Sequence, residues 1–179
     1  MALSQKKLQQ KKAKKKQKRV QQIQTQKKAN VVSIHQSPIE HSLVHSDIWK
    51  AGIGTVLIVR RANDGRLFMG NYLIDTWCLG VKDAFVREVS FAQLDDFLSK
   101  HSMDKHTPAY CKALIMSSIE YGKQNNFKPN LDDKSKKFIA AIQYDPSSYQ
   151  FEFGKEGEAF YISGPHDDEL LPNMIEKSE

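Results

Sequence analysis

One short stretch of the chain carries residue types that acid–base or metal chemistry uses. Asp75, Lys82 and Asp83 lie in LIDTWCLGVKDAF. Two carboxylates can hold a divalent ion, while Lys82 or Arg60 would face a phosphate group. One hypothesis is therefore a metal-assisted hydrolase or nuclease with Asp75, Lys82 and Asp83 as its catalytic residues.

Asp83 has two interpretations. It shares strand parity with Val81 and Phe85, and a carboxylate on an apolar strand face is costly to bury, which would suggest a poised acid or a ligand site. Alternatively, Gly80 ends the strand and Asp83 caps a helical turn that begins at Ala84. The capping interpretation is preferred because Asp is a common N-cap residue.

The sequence contains none of the motifs that identify a hydrolase, a zinc protease or a nucleotide-binding loop. His41 and His45 have zinc-ligand spacing on a helix, but Ser42 stands where a zinc-protease helix has its Glu base. No cofactor is therefore predicted, and a divalent metal enters only with the hydrolase hypothesis.

The elements that would position these residues form an antiparallel β-meander at about residues 54–89. Residues 55–61 are apolar on both faces, as in an interior strand, and Asn63, Asp64 and Gly65 predict a hairpin turn. The second strand is then 66–74, and the third follows Asp75. The predicted fold class is α+β.

Three helices are expected after the meander. Ser90 and Gln93 form a capping box, Thr107 caps a helix with Pro108 at its first position, and a third helix, capped by Asp132 or Asp133, takes residues 132–142. A second hairpin is predicted from 149–153 and 159–163. The domain assignment is a tail at 1–30, a connector at 31–51 with a short amphipathic helix, an α+β domain at 52–170 and a C-terminal tail at 171–179.

The charge is divided unevenly along the chain. Of the 27 Lys and Arg residues, eleven lie in residues 1–28 without any acidic residue, which leaves 16 basic against all 21 acidic residues elsewhere. The net charge of +6 therefore comes from the tail, which is predicted to be a disordered basic arm. Its candidate nucleic-acid-binding residues are Lys6, Lys7, Lys11, Lys12, Lys14, Lys15, Lys16, Lys18 and Arg19.

Nucleic acid is the leading partner, RNA or a ribonucleoprotein before DNA, since the sequence has no groove-reading motif. The alternatives are the hydrolase, a protein-interaction domain and a solubilising tail without a specific partner. No membrane span or signal segment is predicted, and two cysteines without CxxC spacing favour a reduced, cytoplasmic protein.

The aromatic residues also have two interpretations. A base-stacking platform on the sheet is one, and core packing at strand parity is the preferred one. The residues are Tyr72, Trp77, Phe85, Tyr149, Phe151 and Tyr161.

Two segments, KAGIGTVLIVRRANDGRLFMGNYLIDTWCLGVKDAF and FEFGKEGEAFYISGPHDD, carry a resemblance to a known family. They resemble a family of bacterial cytoplasmic proteins with the pattern GIG, an Arg-rich strand, LID, CLGVKD and YISGP. Some relatives carry a C-terminal SEC-C type zinc motif, whose cysteines this sequence lacks. The resemblance implies a bacterial, cytoplasmic setting but no particular activity or metal.

Overall fold

The computed structural model describes residues 14–19 and 34–163 of the 179-residue chain. Within them a five-stranded antiparallel sheet has the strand order β4-β3-β2-β1-β5, so the predicted α+β class is confirmed. The strands are β1 (Ile39–His45), β2 (Ile53–Arg61), β3 (Leu67–Asp75), β4 (Gly80–Val89) and β5 (Met103–Lys105). The helices are α1 (Ile48–Ala51), α2 (Phe91–Lys100), α3 (Pro108–Gln124) and α4 (Asp133–Ala140).

The predicted meander is strands β2, β3 and β4. Residues 56–59 in the centre of β2 are all fully buried, as their two-sided apolar pattern predicts. Gly65, with φ of +84°, supplies the positive-φ position of the turn between β2 and β3. The order and pairing of these three strands therefore follow from local sequence.

The connector prediction is wrong for residues 39–45. These residues form β1, which pairs with β2 from Ile39↔Arg60 to Val44↔Val56, and not an amphipathic helix. His41 and His45 consequently lie four residues apart along a strand, which separates their side chains far more than one helical turn does. The zinc-like spacing has no structural counterpart.

Strand β4 also differs from the prediction. It runs unbroken from Gly80 to Val89, so Asp83 does not cap a helical turn, and that interpretation is wrong. The pairing passes from Ile74↔Val81 to Leu73↔Asp83, which leaves Lys82 as the extra residue of a β-bulge. The bulge changes the parity of the strand.

Because of the bulge, odd-numbered residues face the larger core before Lys82 and even-numbered residues face it after Lys82. Val81, Ala84 and Val86 share one core cluster, whereas Phe85 is 37% exposed and does not follow Val81 as predicted. A parity rule applied across the whole segment fails because the extra residue at the bulge shifts the alternation by one.

The helices cover the two faces of the sheet unequally. Helices α3 and α4 contribute Leu114, Ile115 and Phe138 to the larger core, and α2 contributes Leu94 to the smaller core on the opposite face. The predicted start signals are confirmed. Ser90 and Gln93 form the capping box of α2, Thr107 caps α3, and Asp132 caps α4.

The C-terminal segment reverses direction where the second hairpin was predicted, but residues 149–163 form no strands. Pairing is limited to one bridge between Lys155 and Glu158, beside Gly154 and Gly157 at positive φ. The flanking backbone instead forms hydrogen bonds with the β3–β4 turn. The N–H of Gly154 donates to the carbonyl of Thr76, and the N–H of Phe160 donates to the carbonyl of Trp77. The aromatic alternation of this segment serves packing against helices.

Of the helices that the described residues form, none has the length and apolarity required to cross a bilayer. Cys78 and Cys111 are both buried free thiols. The predicted domain end at 170 and the C-terminal tail lie outside the described residues, as does most of the predicted basic arm.

Candidate functional site

Asp75, the last residue of β3, is engaged in a turn. Its Oδ1 accepts hydrogen bonds from the backbone N–H groups of Trp77 at 2.9 Å and Cys78 at 2.8 Å. The residue is 6% exposed, and burial raises the pKa of its carboxyl, opposed by these N–H groups and by the ammonium of Lys82. The carboxylate therefore holds the β3–β4 turn in place.

Asp75 and Lys82 lie close enough for the charge of Lys82 to lower the pKa of Asp75, while Asp83 makes a different contact. Lys82 is only 5% exposed, in the bulge. Asp83 is half-buried, and its Oδ1 accepts a hydrogen bond of 3.3 Å from Nδ2 of Asn130. No group of three or more His, Cys, Asp or Glu residues suited to a metal ion occurs in residues 14–19 and 34–163. A catalytic role for the three residues stays a prediction.

Arg60 does not face outward toward a phosphate group. Its side chain lies in the core with 4% exposure, where Nη1 donates to the carbonyl of Ser37 at 2.5 Å and Nε to that of Phe138 at 3.2 Å. Its guanidinium also lies 5.4 Å from the centre of the Phe138 ring. Burial lowers the pKa of the guanidinium. Its hydrogen bonds connect α4 and the segment before β1 to the sheet.

Part of the predicted nucleic-acid-binding arm is described. Residues 14–19 are helical and every one of them is exposed. Lys6, Lys7, Lys11 and Lys12 lie outside the described residues. The described members of the predicted set are Lys14, Lys15, Lys16, Lys18 and Arg19. Five cations in one helical turn and a half form a dense positive surface.

A second positively charged region lies at the beginning of the folded domain, where His35 is close to the cations Arg60, Lys134 and Lys137. We refer to these four residues as the cationic cluster. Burial is the largest factor lowering the pKa of His35, and the charges of Arg60, Lys137 and Lys134 lower it further. Both ring nitrogens of His35 are buried without a hydrogen-bond partner among the described residues. Lys134 and Lys137 are exposed on α4.

The cationic cluster was not predicted from the sequence. A basic helix face was visible in DKSKKFIA, where Lys134 and Lys137 are three residues apart. Their approach to His35 was not visible, because the two segments are separated by almost the whole domain and no local pattern records such a contact.

One of the six aromatic residues is fully buried in the core, and the other five are partly buried or exposed. Tyr72 is fully buried and its hydroxyl donates to the carbonyl of Ser135 at 2.9 Å, so it belongs to the core. Phe85 lies on the opposite sheet face, while Tyr149 and Phe151 stack in the C-terminal segment at 6.4 Å between ring centres. The six residues do not form a single platform.

Comparisons of the chain with family models, with curated proteins and with solved structures give no match.

Proposed function

We propose that this protein associates with nucleic acid, RNA or ribonucleoprotein before DNA, through its Lys-rich N-terminal arm. The observation that carries the proposal is the exposed helical segment 14–19, in which five of six residues are cations. Each phosphate that a Lys or Arg neutralises releases condensed counterions, and this release drives association without reading base sequence.

The rest of the chain supports the arm as the principal contact. Outside residues 1–28 acidic residues outnumber Lys and Arg by 21 to 16, so most of the domain surface repels phosphate. The cationic cluster is an exception, because its exposed lysines attract phosphate. Lys134 and Lys137 would take a phosphate close to where the chain enters the domain. RNA is placed before DNA because of the bacterial, cytoplasmic setting that the family resemblance implies, and because the sequence has no groove-reading motif.

Binding of labelled single-stranded RNA and duplex DNA between 50 and 200 mM salt tests the proposal. Six to eight phosphate contacts would reduce affinity roughly a thousandfold or more over this range. The variant Lys14→Gln/Lys15→Gln/Lys16→Gln should lower the slope of log K against log salt by about two to three. Binding that is weak and independent of salt would contradict the proposal.

A matched control removes the same charge elsewhere. Lys100, Lys123 and Lys136 are exposed and each faces an acidic residue three or four positions earlier. Replacing these three by Gln should leave the salt slope almost unchanged, because each lysine is already near a carboxylate. Equal losses in both triple variants would show that only net charge matters.

The hydrolase alternative is supported by one observation, the buried pair of Asp75 and Lys82 with the raised pKa of Asp75. Adding magnesium to the same RNA mixtures and scoring intact RNA tests it. Cleavage that disappears in Asp75→Asn, with binding retained, would establish the alternative. Binding without cleavage favours association alone.

A further inference from the structure

A cleft of about 600 Å³ opens beside the C-terminal segment, far along the chain from the basic arm. Trp49 of α1 and Tyr110 of α3 form one part of its wall. Phe151 and Phe153 form the other, with the backbone of Gly154 and Gly157. The cleft is large enough for a small organic molecule.

The rings in the wall have two main orientations. Trp49 and Phe151 are nearly parallel, with 5.8 Å between ring centres and 15° between planes. Phe153 is inclined by 64° to Trp49, and Tyr110 by 75° to Phe151. The rings therefore pack on one another in stacked and edge-to-face contacts, and their remaining aromatic surface forms the apolar part of the lining.

The charged groups of the wall are acidic. Glu152 and Glu156 line the cleft and both are exposed, whereas no Lys, Arg or His occurs among the described residues that line it. The carboxylates attract positive charge and repel anions, and the aromatic surface accepts the alkyl groups of an organic cation. The lining therefore selects against a phosphate-bearing ligand and in favour of a cation.

The same segment already holds an ammonium group against aromatic rings. Nζ of Lys155 lies 4.4 Å from the centre of the Phe160 ring and 5.2 Å from that of Trp77. Both distances fall within the range of a cation–π contact. The segment 149–160 thus packs a cation on ring faces once internally, next to a cleft with similar chemistry.

We propose that this cleft binds a small organic cation, specifically an alkylated ammonium group. The alkyl groups pack against Trp49, Phe151 and Phe153, and Glu152 and Glu156 balance the charge. This ammonium chemistry can come from a free quaternary amine or from a trimethylated lysine side chain. The proposal does not depend on nucleic-acid binding, which uses the opposite charge on other residues.

Choline and its neutral isostere 3,3-dimethyl-1-butanol are the probes, because they have the same shape and differ in charge. Binding to the full chain is measured by ligand-observed saturation-transfer NMR. Choline should bind about five- to thirtyfold more tightly than the isostere, as a cation–π contact of roughly 1 to 2 kcal/mol implies. Equal affinity of the two probes, or binding of neither, would overturn the proposal.

Two variants locate the site. Trp49→Leu should abolish the preference for choline, and Glu152→Gln/Glu156→Gln should weaken choline binding severalfold without affecting the isostere. The double Gln variant changes exposed residues only, so it keeps the test valid even where Trp49→Leu disturbs folding. Unchanged choline binding in the double variant would overturn the role of the carboxylates.

The matched control is Glu88→Gln/Asp96→Asn, which removes two exposed carboxylates that do not line the cleft. Its choline affinity should equal that of the wild type. Nε-trimethyl-lysine within a short neutral peptide then distinguishes the sources of the ammonium group. Tighter binding than choline identifies a side chain as the ligand, and weaker binding identifies a free amine.

Discussion

The two ends of the β2–β3 ladder bury charges of opposite sign and stabilise them in opposite ways. Near one end the guanidinium of Arg60 donates to the carbonyls of Ser37 and Phe138. At the other end the carboxylate of Asp75 accepts from the N–H groups of Trp77 and Cys78. Backbone dipoles bind both groups, since an unpaired buried charge would be costly.

The ends differ in how far along the chain the partners lie. Asp75 bonds to residues two and three positions ahead, whereas the partners of Arg60 are 23 and 78 positions away. The Asp75 end is thus a local turn, closed by tight backbone packing. The Arg60 end joins three distant segments, and a substitution there should be felt across the domain.

The largest expected effect is at the Asp75 end. A Cβ at Gly80 would lie 2.1 Å from the carbonyl oxygen of Ser118, in a residue with φ of +71°. Gly80→Ala should therefore cost about 4 kcal/mol or prevent folding. Urea denaturation measures it. The control Gly65→Ala also has positive φ but nothing within 4 Å, and should cost only about 1 kcal/mol. Similar losses in both variants would contradict the tight contact.

At the Arg60 end, Arg60→Met keeps the aliphatic length and removes the donors. Two buried carbonyls lose a partner and the contact with the Phe138 ring is lost, so the unfolding free energy should fall by roughly 3 kcal/mol. Arg66→Met is the control, because Arg66 forms exposed ion pairs with Asp64 and Glu88. It should change stability by less than about 1 kcal/mol.

The variant Asp75→Asn tests how the stability contributed by the Asp75 end depends on pH. Because burial raises the pKa of Asp75 above its unfolded value, the folded protein binds the proton more tightly and loses stability as pH rises through that interval. The substitution should cost about 1 to 2 kcal/mol at acidic pH. That cost should shrink from pH 4 upward. Chemical denaturation at a series of pH values measures it, and a cost that grows with pH would contradict the assignment.

The smallest effect concerns His35 in the cationic cluster. Its pKa is lowered, so the unfolded chain takes up a proton near the ordinary value of 6.5 that the folded protein resists. Wild-type stability should fall as pH drops below 6.5, and His35→Phe should lack this loss. Replacing Lys134 and Lys137 by Gln should weaken the pH dependence, since two positive charges that disfavour protonation of His35 are then removed. A pH profile that His35→Phe leaves unchanged would exclude His35 as the titrating group.

The sequence was sufficient for elements whose signals are local. The Asp-Gly turn, the capping box at Ser90 and the caps at Thr107 and Asp132 each involve residues within three positions, and each prediction is confirmed. The meander followed because its strands are joined by short turns. A short-range pattern contains all of the information that these elements need.

The sequence was insufficient where pairing is long-range or irregular. β1 was missed because several of its residues, in IEHSLVH, are polar and give no clear strand pattern. Its strand conformation depends on pairing with β2 and β5. One extra residue at Lys82 changed the parity that the predicted role of Asp83 rested on. The aromatic cleft joins Trp49, Tyr110 and Phe151 across a hundred residues, and no local spacing records that contact.

The outer edge of β4 has a consequence for behaviour at high concentration. A ten-residue edge strand exposes carbonyl groups to which a second chain can add a strand. Here the backbone N–H of Asn130 bonds to the carbonyl of Val81 at 3.1 Å, and the ammonium of Lys134 bonds to that of Val86. With the bulge at Lys82 between them, these contacts interrupt the edge. Self-association into fibrils through β4 would first require the 130–134 segment to detach.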